Sequence, residues 1–308
     1  MLASSEKTAE EILRHYGRSF NFARMFLKVS HGQRAARLYA FCRYIDDIAD
    51  EASDVQQAKE VLEQVRLQLA GSLPPSPRVA DFIKLAKETN IELAVAEELI
   101  DGVASDLETV AFKTMAELIQ YAYKVAGTVG LMMCRVLEVD DPRAMPFAID
   151  LGVAMQLTNI ARDIKEDALN GRRYVPASWL ASASIEDISN PNASLKPKLQ
   201  MASQRLIELA EVYYESAYNG FGFLPGRSRF AILIAARVYR QIGVKLKRRD
   251  FATWRDRTIV STAEKIMVAS AAIAAYLTEF RLHRCSFEHD AKLHVSLQGF
   301  AGTSQLAK

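Results

Sequence analysis

PRAMPFAIDLGVAMQLTNIARDIKEDAL, residues 142–169, holds both what a buried helix needs and what it ordinarily excludes. From Phe147 to Ala161 the stretch is nearly all apolar, which marks a helix enclosed by others. Against that background Gln156, Asn159, Asp163 and Asp167 follow one another at spacings of 3, 4 and 4. At about 100° per residue they fall within an arc of about 80° on one face. The result is a polar stripe pointing inward. Enclosed carboxylates without cations cost several kcal/mol per ion or take up protons, so this face requires partners. The competing reading is a set of core polar residues satisfied by other side chains.

A second acidic stretch lies upstream, in Arg43-Tyr44-Ile45-Asp46-Asp47-Ile48-Ala49-Asp50-Glu51. In a helix, Asp46 and Asp50 lie roughly 40° apart and about 6 Å along the same face, which Tyr39 and Arg43 share. Like charges at that spacing destabilise a helix, and a bound divalent cation reverses the cost. Alone, the motif also reads as a solvated acidic helix end. Together, two helices carrying carboxylates one turn apart can face each other across a cavity and hold hard cations between them. Mg²⁺ fits best, because it takes oxygen ligands and is usually completed by substrate phosphates. Zinc is disfavoured: none of His15, His31, His283, His289 and His294 falls in a HExxH arrangement.

A Mg²⁺-bridged diphosphate also calls for guanidinium donors. Arg43, Arg162 and the pair Arg172-Arg173 flank the two motifs; singly each also reads as an ion-pair residue, Arg162 with Glu166 in particular, and Arg173 is assigned to structure. Between the motifs runs Tyr121-Ala122-Tyr123-Lys124-Val125-Ala126-Gly127-Thr128-Val129-Gly130. Glycines inside a helix are unfavourable by nearly 1 kcal/mol, so Gly127 and Gly130, on the face of Tyr123, signal either close helix packing or a wall kept clear for a ligand. Tyr39, Tyr123 and Tyr239 are candidates to present ring faces to a carbocation, although a helical tyrosine is ordinarily core.

Outward from these motifs the chain reads as all-α. Apolar residues recur at helical spacing, and no alternating run bounded by turn residues is found. Predicted helices cover about residues 7–16, 32–52, 54–70, 77–89, 92–109, 114–138, 142–169, 196–219, 226–249 and 261–283. Leu73-Pro74-Pro75-Ser76-Pro77 is a turn, Ser182 to Pro197 reads as a polar loop, and the residues after Cys285 lack periodicity. The expectation is one domain over 1–284 followed by a loosely ordered tail, 285–308. The 308 residues are half hydrophobic, with 39 Lys plus Arg against 37 Asp plus Glu and a formal net charge of +2. No basic cluster argues for nucleic acid. Cys42, Cys134 and Cys285 lie far apart, supporting neither a disulfide framework nor a zinc ribbon. No secretory pattern opens the chain and no apolar run reaches about 20 residues, so a cytoplasmic protein is expected, with peripheral membrane attachment left open.

Asp46-Asp47-Ile48-Ala49-Asp50 and Asn159-Ile160-Ala161-Arg162-Asp163-Ile164-Lys165-Glu166-Asp167 together resemble the paired aspartate-rich motifs of the squalene and phytoene synthase family. The resemblance spans roughly residues 12–280 and includes GRSF (17–20), LYAFCRYIDD (38–47), VAGTVG (125–130), QLTNIARDIKED (156–167), RRYVP (172–176) and ARVYRQIGVKLKRR (236–249). The stretches GRRYVPASWL and VYRQIGVK are most similar to bacterial members of the phytoene-forming branch.

The resemblance implies a helical isoprenoid-synthase fold around a central cavity with the acidic motifs at its mouth. It implies Mg²⁺, or Mn²⁺ in its place, and head-to-head condensation of two prenyl diphosphates. It assigns Asp46, Asp50, Asn159, Asp163 and Asp167 to metal and diphosphate; Arg18, Ser19, Arg43, Arg162 and Arg257 to diphosphate oxygens; and Tyr39, Gln156 and Tyr239 to the reacting centre. Arg18 stands where some relatives carry lysine, and both residue types bind phosphate. The expected reaction joins two geranylgeranyl diphosphates into phytoene without NADPH. Gly220-Phe221-Gly222-Phe223-Leu224-Pro225-Gly226 follows no strand and is no dinucleotide fingerprint. The alternatives are a C30 synthase acting on farnesyl diphosphate and a non-catalytic helical assembly factor; the intact aspartates speak against the latter. A product with no polar group implies delivery to a membrane, through peripheral contact at its cytoplasmic face.

Overall fold

The computed structural model describes residues 7–180 and 183–304. Among them, thirteen α-helices account for the fold, and the one strand-like contact is an isolated bridge between Ala111 and Arg173. In chain order the helices are α1 (Ala9–Tyr16), α2 (Arg18–Arg24), α3 (Val29–Asp50), α4 (Val55–Leu69), α5 (Pro77–Thr89), α6 (Leu93–Ser105) and α7 (Met115–Ala122). There follow α8 (Thr128–Val136), α9 (Met145–Leu169), α10 (Ile185–Ser189), α11 (Lys196–Asn219), α12 (Gly226–Arg248) and α13 (Thr262–Thr278).

Local chemistry sets most of these boundaries. Thr8, Thr114 and Ser261 each close a reciprocal cap with a glutamate three residues on, supplying orphan amide groups with acceptors. Asn90 adopts the left-handed conformation that ends α5. Pro142 opens a short 3₁₀ turn, Pro142–Ala144, that leads directly into α9. The predicted stretches match the long helices to within a few residues. α2 was not anticipated: its N-cap is Gly17, with no side-chain hydrogen bond to announce it.

α9 is the central element. Ile149, Val153, Ala154, Leu157, Ile160 and Ala161 are almost completely buried, packed by α8, α10, α11 and α12. The contact with the α7–α8 segment is close enough to exclude side chains. A Cβ added at Gly152 would lie 2.2 Å from the Ala126 carbonyl oxygen, and one at Gly130 would lie 2.2 Å from that of Ala148. The glycines of VAGTVG therefore serve close packing, and Gly130 serves a cavity wall as well.

Three expectations are corrected. The predicted helix over 114–138 is interrupted by a π-helical turn, Tyr123–Gly127. The stretch read as a polar loop contains α10, capped reciprocally by Ser184 and Asp187 and anchored by buried Ile188; Ser182 lies outside the described residues. The segment after Cys285 is held against the body as far as residue 304. It carries a 3₁₀ helix, Ala291–Leu297, with His294 and Leu297 wholly buried. Asp150, buried in α9, supplies the physical reason: its two carboxylate oxygens accept from His289 Nε2 at 2.9 Å and His294 Nε2 at 3.1 Å. An enclosed carboxylate needs such partners, and here they come from the tail.

Gly152→Ala should lower stability by about 3 kcal/mol or leave the protein insoluble, because its methyl group meets backbone rather than a movable side chain. Gly226→Ala, whose nearest neighbour would be the Tyr276 hydroxyl at 3.5 Å, should be nearly neutral. Urea denaturation of both variants checks the contrast.

Candidate active site

Two connected cavities lie along the inward face of α9. The first, about 370 Å³, is almost wholly apolar and is walled by Val129, Met133, Leu151, Met155, Ile232 and neighbouring side chains. The second, about 270 Å³, is lined by Asp46, Asp50, Asp106, Asp163 and Asp167 together with Arg162, Arg172 and Arg257. Asp46, Val125, Gln156 and Asn159 belong to both linings and form the junction. One chamber thus suits an apolar chain and the other a charged head group.

α3 and α9 supply the carboxylates at the spacings their sequences prescribe. Asp46 is pushed up to about 7 by burial and by the neighbouring charge of Asp50. Asp167 is raised well above the ordinary carboxylate range by burial, Asp163 and Glu166. These shifts express crowding of like charges, which an added cation relieves. The donors are all oxygen, the set that hard divalent cations prefer. Asp163 is clasped by Arg162 and Arg257: Nε of each donates to Oδ1 at 2.8 and 3.0 Å, and Nη2 of each to Oδ2. Asn159 Nδ2 donates to Gln156 Oε1 at 3.3 Å.

At the apolar side of the junction, Tyr39 and Tyr239 line the cavity with Phe20 between them, at ring-centre distances of 6.2 and 5.1 Å. Burial raises the pKa of both phenols, so both stay protonated and neutral. Arg18, exposed, and Ser19, half-buried, begin α2 just before Phe20; neither lines either cavity.

Two sequence expectations are displaced. Tyr123 does not face the cavity: its hydroxyl oxygen lies 2.5 Å from Glu98 Oε2 and 2.9 Å from the Ala301 carbonyl oxygen, sharing its one proton between them, and its ring packs 4.9 Å from Phe300. The π turn explains this. Counting about 100° per residue places Tyr123 and Gly130 on one face, but the extra residue in the turn rotates them apart. Arg43 also lines neither cavity; it pairs with Asp47 one turn on, and its guanidinium sits 4.9 Å over the Tyr16 ring.

Sequence reasoning missed Asp106, Tyr121 and Tyr174, and named Arg172 only as one of the guanidinium candidates flanking the acidic motifs. Tyr121 and Tyr174 donate to Asp106 at 2.8 and 2.9 Å, and Arg172 Nη1 donates to Asp50 Oδ1 at 2.7 Å. Burial raises Asp106 to about 6, against the opposing pull of Arg172 and the two phenols. Arg173, by contrast, is structural, donating to the Ala183 carbonyl at 3.0 Å.

Asp150, His289 and His294 offer a second set of ligand-type atoms, all within 4.8 Å of one another. Ser304 N–H donates to His294 Nδ1 at 3.0 Å, which leaves the ring proton on Nε2, directed at Asp150. That proton occupies the lone pair a cation would need, and the set acts as a hydrogen-bonded clasp.

The profile of the family described as Squalene/phytoene synthase matches residues 13–264. The 15-cis-phytoene synthase of Enterobacter agglomerans is 36% identical over 274 residues, covering 85% of this chain and 92% of that protein. That of Pantoea ananas is 36% identical over 273 residues, covering 85% and 88%. Among solved structures, a dehydrosqualene synthase bound to a ligand superposes with a TM-score of 0.75 at 26% identity, covering 88% of this chain and 96% of that one.

The electrostatics generate a pH dependence. Asp46, raised to about 7, and Asp106, raised to about 6, favour the protonated folded state. The folded protein therefore binds more protons than the unfolded chain above pH 4, and stability falls as pH rises toward 8. The melting temperature of cation-free protein should decrease from pH 5 to 8, and Asp46→Asn should flatten the decrease. Added Mg²⁺ should raise the melting temperature more at pH 8 than at pH 6. Calorimetric scans with EDTA or Mg²⁺ read both effects.

Proposed function

The chain belongs to the squalene/phytoene synthase family, and we propose that it is a 15-cis-phytoene synthase, condensing two geranylgeranyl diphosphates head to head with loss of both diphosphates. The observation that carries this reading is the joining of an apolar chamber to a carboxylate- and arginine-lined one at Asp46, Gln156 and Asn159. A prenyl diphosphate has the same two-part character. The 36% identity to phytoene synthases over most of the chain favours the C40 product over the C30 alternative.

Asp46, Asp50, Asn159, Asp163 and Asp167 would hold Mg²⁺, with Mn²⁺ as a substitute. Bound there, the cations would supply positive charge to the departing diphosphate. Arg162, Arg172 and Arg257 line the same chamber and supply bidentate donors to its oxygens. Arg18 and Ser19 stand outside both chambers at the start of α2, and Arg43, stacked over the Tyr16 ring, ties α3 to α1. Cleavage of one allylic C–O bond leaves a carbocation at the junction, where Tyr39 and Tyr239 offer neutral, electron-rich faces. The double bond of the second substrate attacks it, giving prephytoene diphosphate and releasing one proton. Loss of the second diphosphate, rearrangement and loss of another proton complete phytoene. No hydride enters, so NADPH is not required.

The product has no polar group, and each CH₂ exposed to water costs about 0.8 kcal/mol. Among the described residues no helix is long and apolar enough to cross a membrane. The enzyme therefore works attached peripherally to the cytoplasmic membrane face.

With geranylgeranyl diphosphate and Mg²⁺ the purified protein should yield a C40 hydrocarbon, identified by mass. EDTA should abolish turnover, and Mg²⁺ should restore it. Asp163→Asn should fold normally yet lose on the order of 100-fold in turnover. Deuteride from labelled NADPH should not reach the product; its incorporation, or a C30 product from farnesyl diphosphate alone, would overturn the assignment.

A further inference from the structure

α13 buries one side against α12 and leaves the other side apolar and bare. Ile266, Ile273 and Leu277 are 55%, 51% and 78% exposed, and they share an arc of about 40° at helical spacing. Met267 widens the stripe at one end, and Phe280, 67% exposed in the turn that follows the helix, extends it at the other. No charged residue lies between Lys265 and Glu279. Singly, exposed apolar residues need no explanation; a face on one helix broken only by Ser270, whose hydroxyl donates to the Ile266 carbonyl at 3.0 Å, does.

We propose that this outer face of α13 docks the protein onto an anionic lipid bilayer. The inference rests on the phytoene synthase reading for its motive, since an apolar product needs a bilayer, and on the surface itself for its location. Charge argues for lipid. Both acidic residues that bound the stripe are neutralised inside the protein: Glu264 pairs with Lys245 at 2.8 Å and Glu279 with Arg237 at 2.9 Å. The exposed cations remain at the edges. Arg284 lies 4.4 Å over the Phe280 ring, and Arg227 follows Gly226, whose carbonyl accepts from the Tyr276 hydroxyl of α13 at 3.0 Å. An apolar stripe rimmed by cations matches a membrane interface with anionic head groups.

Position supports the same occupant. α12, the helix beneath α13, contributes Ile232, Ala235 and Tyr239 to the apolar cavity, and Leu224, two residues before Gly226, lines it too. The bare face therefore lies one helix away from the chamber that holds the prenyl chains. The rings of Phe26, Phe230 and Tyr276 run in successive edge contacts of 5.5 and 5.3 Å from the α2–α3 corner to α13. Met25 and Val29, 63% and 79% exposed, sit at that corner and enlarge the apolar surface.

The test is flotation of the full chain with vesicles of phosphatidylcholine alone or mixed with phosphatidylglycerol. Wild type should float with the mixed vesicles and less with the neutral ones, and salt should weaken binding. Leu277→Glu/Phe280→Glu should reduce the bound fraction at least about tenfold while leaving the melting temperature unchanged. Arg227→Glu/Arg284→Glu should remove the preference for phosphatidylglycerol. Turnover of detergent-dispersed geranylgeranyl diphosphate should stay within about twofold of wild type in all variants, because none touches either cavity. Undiminished flotation of the Leu277/Phe280 variant would overturn the proposal. So would a wild-type dimer in sedimentation that this variant dissociates, since the face would then belong to a second copy. Absence of any hydrocarbon from detergent-dispersed substrate would count against the catalytic reading, while flotation would still decide the docking face.

Discussion

Mutual repulsion among carboxylates at one end of a buried helix is the constraint around which the molecule is organised. α9 must be apolar to sit at the centre, yet it carries Asp163 and Asp167 into a chamber that also receives Asp46, Asp50 and Asp106. Two responses are visible in the protein itself. Arginines are drawn in, with Arg162 and Arg257 on Asp163 and Arg172 on Asp50. Elsewhere the charged form is disfavoured, as the upward shifts of Asp46 and Asp167 express. Tight helix packing at Gly130 and Gly152 keeps the walls from relaxing outward to relieve the repulsion. The arrangement is stable only because the hydrophobic body is large, and it stands ready for cations and a diphosphate.

What the sequence revealed follows from which features are periodic. The polar stripe of α9 and the acidic end of α3 are spaced by helical geometry, so their convergence could be read before any coordinates. Tyr39, on the face of Asp46, could be placed by the same logic, whereas Tyr239 could be placed only through the family resemblance. Asp106, Tyr121 and Tyr174 could not, since their hydrogen bonds join residues 15 and 68 positions apart along the chain. Nor could Tyr123 be placed correctly, because a single π turn shifts the register that any fixed-angle projection assumes. The tail was misread for a related reason. It is held by a few specific side chains, His289, His294 and Leu297, rather than by a repeating face.

The division of labour between the two chambers also separates stability from function. Residues of the apolar chamber are ordinary core material on one side and ligand wall on the other, so their packing sets the space for the prenyl chains. Residues of the polar chamber work against the folded state. Replacing a crowded aspartate by asparagine therefore pushes the two properties in opposite directions.

The clasp on Asp150 ties α9 to residues synthesised more than 130 positions later, His289 and His294, and this has a bearing on how the protein is made. Synthesis proceeds from the N-terminus, and domains begin to fold while the chain is still growing. Every element that surrounds α9 has been synthesised well before residues 289 and 294 appear. Until then the nascent protein holds a carboxylate in the interior of its central helix with neither imidazole donor available. Final closure of the helical body must therefore await the synthesis of residues 289 and 294, so that a nascent chain lacking them stays looser around α9 than one that carries them.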